Sequence, residues 1–177
     1  MSQLSYNLNP AVATAGMVAE YREGNIIISK IASGAVPVGL LCGPGADGEI
    51  GMQPNSADPN SVNPGQVVAL PDGLATDPMP DSVFVGVPIY DSSRPPFDAL
   101  NSYSDKDPVP VMRKGVIWVF SENAVTQYHD VYVRIAAGGG FVNGSWRDGA
   151  AANFVKFPRG RWLTTRSNAG LAILELW

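Results

Sequence analysis

The sequence is poor in the residues that build disulfides, metal centres and catalytic dyads. It contains one cysteine and one histidine, Cys42 and His129, in 177 residues. A single cysteine excludes an intramolecular disulfide, and together with one histidine it cannot supply the ligands of a typical zinc site. The neighbours of Cys42, VPVGLLCGPG, are apolar or glycine. Since none of them would lower a thiol pKa, we predict that Cys42 is a small buried side chain rather than a nucleophile.

Charge and long apolar runs are also scarce. Charged residues make up 16% of the chain, below the roughly 25% of an average soluble domain. This indicates an uncharged surface of the kind that suits contact with other proteins. The opening segment MSQLSYNLNPAVATAG has no basic region or continuous apolar core, and no stretch of about 18 apolar residues follows. We therefore expect neither a secretory signal nor a membrane partner.

The charges that are present are unevenly distributed. Residues 1–130 hold 6 Lys/Arg and 14 Asp/Glu, a balance of −8, whereas residues 131–177 hold 6 and 2, a balance of +4. The two regions can attract each other within one fold, or the basic end can meet the acidic face of a partner. Because the whole chain is acidic, nucleic acid is a poor partner.

Glycine and proline are abundant and break the chain into short apolar runs. The 19 glycines and 15 prolines are spread along the whole length and leave no room for long helices. Runs rich in β-branched and aromatic residues, bounded by turn residues, predict about ten strands. They span residues 17–22, 25–31, 35–42, 65–70, 83–90, 109–120, 128–136, 154–157, 161–165 and 170–177.

These strands predict an all-β fold, a jelly-roll-like sandwich or barrel with long loops. Alternation places Val131, Val133 and Ile135 on one face, with Tyr132 and Arg134 on the other. Near the end it places Ala172, Leu174 and Leu176 toward the core and Glu175 toward solvent. Only residues 97–103 and 121–127 suit a helical turn, the second with Ser121 as its N-cap.

The domain organisation follows from the same pattern. Residues 1–15 have no regular periodicity and predict an extended N-terminal arm, while residues 16–177 predict a single β domain. Two polar stretches, 43–65 and 91–108, are longer than ordinary loops and indicate binding surface or disorder.

Several short motifs are typical of catalytic or ligand-binding sites, but the residues around them do not support such a site. GPGADG at 43–48 matches a dinucleotide-binding fingerprint, but the residues after it do not predict the required helix. His129 and Asp130 are adjacent and would point to opposite faces of a strand. Asp105 and Asp107 lack the rest of a calcium loop, and Asn143-Gly144 predicts a tight turn. We therefore predict no catalytic, cofactor-binding or metal-binding residue and no enzymatic activity.

The four tryptophans suggest where a binding surface could lie. Trp118, Trp162 and Trp177 fall in strand runs and are expected in the core, whereas Trp146 lies in a glycine-rich stretch beside Arg147 and is the candidate binding aromatic. The residues predicted to contact partners are Tyr6, Asn9, Phe97, Tyr103, Trp146, Arg147, Arg159 and Arg161.

The order of these segments resembles the structural cement (capsid decoration) proteins of tailed bacteriophages. The resemblance rests on AGMVAEYREGN, GAVPVGLLCGPG, VFVGVPIYD, VPVMRKGVIWVF, DVYVRIAAGGGF and RGRWLTTRSNAGLAILELW, and covers roughly residues 14–177. In the last segment Gly160, Trp162, Thr164-Thr165 and Gly170-Leu171-Ala172 are similar to the closing motif of that family.

The resemblance implies a protein on the exterior of the virion. It implies binding to the outer surface of the major capsid protein lattice, stabilisation of that lattice, self-association as a dimer or trimer, and assembly in the host cytoplasm. Two alternatives stay open. One is a phage tail or receptor-binding β module that recognises glycans through Trp146 with Arg147, Tyr103 or Phe97. The other is a cupin-like or lyase-like enzyme. The sequence disfavours this alternative because it has no cluster of histidines and carboxylates.

Overall fold

The chain is described by a computed structural model, which covers residues 13–32, 34–44, 49–51, 85–91, 101–136 and 138–177. Within these ranges there is no helix, so the all-β prediction is confirmed, and none of them contains a helix that could cross a membrane. The described strands are β1 (Val18–Glu20), β2 (Ile26–Ala32), β3 (Val36–Pro37), β4 (Gly43–Pro44), β5 (Glu49–Gly51), β6 (Val87–Pro88), β7 (Ser102–Tyr103), β8 (Pro108–Ser121), β9 (Asp130–Arg134), β10 (Trp146–Asp148), β11 (Phe154–Trp162) and β12 (Gly170–Leu176).

Five of these strands close into a small barrel. Their order is β10-β9-β11-β12-β8, and β10 also pairs with β8 through Trp146 and Ser121, which joins the two ends. Of the sandwich and the barrel predicted from the sequence, the described residues form the barrel. Closure removes the open edges that a short β10 would otherwise leave unpaired.

The long strand β8 belongs to two layers of the molecule. Its C-terminal half pairs with β12 in the barrel, and its N-terminal half pairs with β2 and β6 in an adjoining sheet that continues to β5 and β4. The two-stranded sheet β3–β7 packs beside them. One uninterrupted strand therefore fixes the barrel to its neighbour.

The apolar core follows the strand alternation. Val131 and Val133 of β9 are buried, as are Ala172, Leu174 and Leu176 of β12, which confirms the predicted core faces. Ile135 is half-buried against the same cluster. A second cluster between the adjoining sheet and β3–β7 contains Ala32, Val36, Val38, Cys42, Tyr103, Val109 and Val111.

Several local predictions are wrong, and each has a physical reason. Residues 121–127 form no helical turn, because Ser121 ends β8 and Val125 pairs with Arg166. Ser102–Tyr103, predicted in a helical turn, is strand β7. Residues 154–157 and 161–165 were predicted as two strands, but residues 154–162 form one strand with a register shift between Phe157 and Arg161. The predicted run 65–70 lies outside the described residues.

Turns occur where the sequence predicts them. Gly144, at φ 86, is the third residue of the turn from Val142 to Ser145, in which the Ser145 N–H donates to the Val142 carbonyl at 3.3 Å. Asp105 and Asp107 also have structural roles. Their carboxylates accept hydrogen bonds from the backbone N–H groups of Gly34 at 2.8 Å and Ser104 at 3.0 Å.

Candidate protein-binding site

Two exposed aromatic rings flank an arginine on the outer face of the barrel. The guanidinium carbon of Arg161 lies 5.6 Å from the ring centre of Tyr128 and 5.7 Å from that of Trp177. The exposed fraction is 66% for Tyr128 and 47% for Trp177. We call these three residues the aromatic–arginine cluster. Cation–π contacts of this kind hold an exposed arginine in a defined position.

Strand β11 positions all three residues. Arg161 lies on β11, opposite Glu175 of β12 and Asp130 of β9. The Tyr128 N–H donates to the carbonyl of Trp162 at 2.8 Å, and the Trp177 N–H donates to the carbonyl of Arg159 at 3.2 Å. Because both aromatic residues are bonded to β11 on either side of Arg161, the cluster is built on the barrel wall and not on a free loop.

Tyr128 has a backbone conformation that a bulky residue rarely adopts. Its φ is 69°, in the left-handed region that favours glycine or asparagine. Such a conformation costs about 1–3 kcal/mol and persists only where the surroundings enforce it. Here the turn bond from the His129 N–H to the Thr126 carbonyl, 3.2 Å, enforces it together with the bond to Trp162. A strained residue that exposes its ring is a candidate for function.

The guanidinium of Arg161 keeps hydrogen-bonding capacity. Its Nε donates to Oε2 of Glu175 at 2.5 Å, and Glu175 also pairs with Arg22 at 3.3 Å. Neither Nη atom of Arg161 has a hydrogen-bond partner among the described residues. Glu175 lies on the outward face of β12, as predicted, and there it pairs with Arg22 and Arg161.

A shallow depression adjoins the cluster. It measures about 530 Å³ and is lined in part by His129, Asp130, Lys156, Pro158 and Trp177. His129 Nδ1 lies 3.3 Å from Oδ1 of Asp148, and Lys156 Nζ lies 2.7 Å from Oδ2 of Asp130. His129 therefore pairs with Asp148 of the neighbouring β10. It does not pair with Asp130, which agrees with the prediction that adjacent residues of a strand point to opposite faces.

The described residues contain no metal-binding cluster, and the cysteine among them lies in the core. Among the described residues no three His, Cys, Asp or Glu side chains come together in a group that could hold a metal ion. Cys42 belongs to the second core cluster, distant in sequence from residues 128–177, and burial raises the pKa of its thiol to about 12. Its Sγ donates to the carbonyl of Gly86 at 3.2 Å. The prediction that Cys42 is a small buried side chain is confirmed.

The eight residues predicted to contact partners have different positions. Tyr6, Asn9 and Phe97 lie outside the described residues. Tyr103 and Trp146 are fully buried, and their polar atoms bond internally, the Tyr103 hydroxyl to Ile89 and the Trp146 Nε1 to Gly39. These two side chains are part of the core, so the prediction that they contact partners at the surface is wrong.

The three predicted arginines lie nearer to the surface. Arg147 is half-buried with its guanidinium over the ring of Phe154 at 5.4 Å, and Arg159 is half-buried on β11. Only Arg161 is exposed. Of the predicted set, Arg161 is the one that the structure brings into the aromatic–arginine cluster.

Sequence reasoning missed Tyr128 and Trp177. Trp177 was expected in the core, yet the alternation that buries Ala172, Leu174 and Leu176 places residues 171, 173, 175 and 177 on the other face. The alternation in the sequence was therefore sufficient to predict that Trp177 is exposed. Tyr128 was assigned to a strand run, but it occupies the turn before β9, and a turn with positive φ at tyrosine has no sequence signature. Trp118 is half-buried and Trp162 fully buried, so the core prediction holds in full for Trp162 alone.

The GPGADG segment does not have the context of a nucleotide site. Gly43–Pro44 is strand β4, and the residues that follow the motif, Glu49–Gly51, form strand β5 instead of a helix. Residues 45–48 lie outside the described residues. A dinucleotide fingerprint needs a helix N-terminus at this point, which β5 replaces.

The chain is similar to known proteins both in sequence and in fold. A sequence model described as structural cement protein (E217 gp24/Pam3 gp6) matches residues 2–176. A solved structure, a chain of the capsid of Myoviridae phage XM1, aligns with a TM-score of 0.60 over 97% of both chains at 11% sequence identity. At that identity the alignment shows a shared fold alone. No curated protein sequence gives a significant match.

Proposed function

The chain belongs to the phage structural cement protein family, and from this premise we propose that it binds the outer surface of the assembled major capsid protein lattice and stabilises it. The observation that carries the proposal is the family match, which covers almost the whole chain, residues 2–176. The family is a structural one, which supports a capsid-associated role without catalysis.

The stabilisation follows from mass action. A protein that binds the assembled shell and not the free subunit lowers the free energy of the shell alone. Many copies on a regular lattice multiply the effect of a modest interface, about 1,200–2,000 Å² for a typical stable contact. A surface with few charges and exposed aromatic residues suits such a contact. In this proposal the protein is a dimer or trimer on the virion exterior, added in the host cytoplasm, with neither nucleic acid nor membrane as partner.

A pelleting assay tests this proposal. We expect the purified protein to sediment with shells stripped of it and to stay in solution with free capsid subunits at the same concentration. Readdition should also raise the temperature at which the shells release their contents. Equal binding to free subunits, or no binding to shells, would contradict the proposal.

The N-terminal arm is a separate part of the proposal. The described end of the segment, residues 13–15, is half-buried, and the Gly16 N–H donates to the carbonyl of Trp118 at 2.7 Å. A β-carbon on Gly16 would lie 2.0 Å from Cγ1 of Val38. In this proposal the arm, residues 1–15, adds a strand to an edge of a neighbouring subunit.

Deletion of residues 2–12 should weaken shell pelleting while the thermal midpoint of the free protein stays unchanged. Deletion of residues 2–15 is the comparison, and it should also lower the midpoint because it removes Ala15, which is half-buried against Gly39. Wild-type pelleting by the shorter deletion would exclude the arm from the interface.

The alternative function, glycan recognition, depended on Trp146 as an exposed binding aromatic. That side chain is fully buried, so the structure does not support the alternative. No second function is proposed.

A further inference from the structure

The aromatic–arginine cluster has the composition of an interface anchor. Trp, Tyr and Arg are the residue types most enriched among the few side chains that dominate binding energy. Here one of each is exposed, and Arg161 of β11 contacts both the Tyr128 ring and the Trp177 ring. Resting on the capsid-binding function proposed above, we infer that Tyr128, Arg161 and Trp177 anchor a carboxylate-bearing loop of the capsid shell protein.

The geometry of Arg161 favours a carboxylate. Glu175 accepts from Nε, while the two Nη atoms have no partner among the described residues. A planar guanidinium presents its terminal N–H groups in a fork that fits the two oxygens of a carboxylate. Since the rings of Tyr128 and Trp177 and the bond to Glu175 already hold the side chain, little conformational freedom is lost when a partner binds.

The surrounding charge also favours an acidic partner. Strand β11, FVKFPRGRW, carries Lys156, Arg159 and Arg161 and no acidic residue. The acidic side chains that face it are already engaged, Asp130 with Lys156 and Glu175 with Arg22 and Arg161. A surface of this kind attracts acidic segments and repels basic ones.

The same contacts disfavour a sugar in the adjoining depression. A glycan needs several free donors and acceptors beside an aromatic ring. In the depression, however, His129 is paired with Asp148 and Lys156 with Asp130. The two Nη atoms of Arg161 have no hydrogen-bond partner among the described residues, and together they suit one anionic group.

Shell pelleting with single-site variants tests the inference. We expect Arg161→Glu and Trp177→Ala to weaken binding to stripped shells about thirtyfold or more. Arg161→Gln, which retains a side chain able to bond Glu175, should also lose most of the binding, and it serves if the charge reversal does not fold. The matched control is Arg113→Glu, the same charge change on an exposed residue of β8 away from the cluster, and it should bind as the wild type does.

Cross-linking identifies the partner group. With Arg161→Lys, carbodiimide treatment of the decorated shell should join residue 161 to an aspartate or glutamate of the shell protein, which mass spectrometry of the linked peptides detects. The intramolecular link to Glu175 is the internal positive control. Links confined to this chain would overturn the inference.

The outcomes separate this inference from the function on which it rests. Failure of the wild-type protein to pellet with shells contradicts the proposed function itself. Wild-type pelleting by folded Arg161→Glu and Trp177→Ala overturns only the anchor. Two further results would also overturn it: altered sedimentation of free Arg161→Glu, which would assign the cluster to a second copy of this chain, and glycan-array binding that Trp177→Ala abolishes.

Discussion

Replacing Glu122 with alanine is expected to lower the free energy of unfolding by about 3–5 kcal/mol, because it leaves a buried charge without its partner. The side chain of Glu122 is 2% exposed and that of Arg134 is 10% exposed. Glu122 accepts hydrogen bonds from Nε of Arg134 at 2.7 Å, from Nη2 of Arg134 at 2.5 Å and from the Ser145 hydroxyl. The bonds to Glu122 also raise the pKa of Arg134 above its ordinary value, against the opposing effect of burial.

The position of this pair explains the size of the expected effect. The backbone N–H of Glu122 donates to the carbonyl of Trp146 at 2.9 Å, next to the bridge between β8 and β10 that closes the barrel. The carboxylate accepts from the hydroxyl of Ser145, the residue before β10, so its loss removes a side-chain bond beside this closure as well as the ion pair. Urea denaturation followed by tryptophan fluorescence measures the change.

The control is Glu20→Ala. Glu20 also pairs with an arginine, Arg22, but the two side chains are 52% and 46% exposed. An exposed pair contributes about 0–1 kcal/mol, so this variant should unfold close to the wild type. Equal stabilities of the two variants would show that the buried pair does not hold the barrel closed.

Trp146→Ala is expected to destabilise the protein by about 3–5 kcal/mol, the range for truncating a buried large aromatic residue. Trp146 is fully buried, stacks edge-on against Phe157 at 5.5 Å and donates from Nε1 to the carbonyl of Gly39 at 2.8 Å. Trp146→Phe should fall between the alanine variant and the wild type, because it keeps most of the apolar contact and leaves the Gly39 carbonyl without its donor.

Trp177→Ala supplies the comparison for the same residue type at the surface. Its unfolding free energy should change little, since surface substitutions away from buried features usually stay within about 0.5 kcal/mol. If Trp146→Ala unfolded like the wild type, the side chain would not be a core residue, and the surface role first predicted for it would return.

The strand pattern could be predicted wherever alternation is local. In β12 each inward residue is aliphatic and the sequence alone identifies the buried face. In β11, Pro158 and Gly160 indicate a break, but the strand passes through them with a shift of register, because an irregular pair tolerates a missing N–H donor. The short β10 has no local signature at all, since it exists only through pairing with β9 and β8.

The candidate site was predictable only in part for the same reason. Arg161 could be selected as a cation in the basic end of the chain. Tyr128 comes to its side through a turn of unusual φ, and Trp177 through the pairing of β12 with β11. Trp146 was misplaced because glycine neighbours indicate a loop, whereas closure of the barrel buries it. Contacts between distant segments decide all three positions.

Imaging of purified particles with and without the protein is the most direct measurement of its proposed role. The account predicts density at regular positions on the outside of the shell, tying adjacent capsid subunits together, and earlier rupture of shells that lack it. Particles that show no ordered copies, or that withstand heating equally well in its absence, would contradict the account.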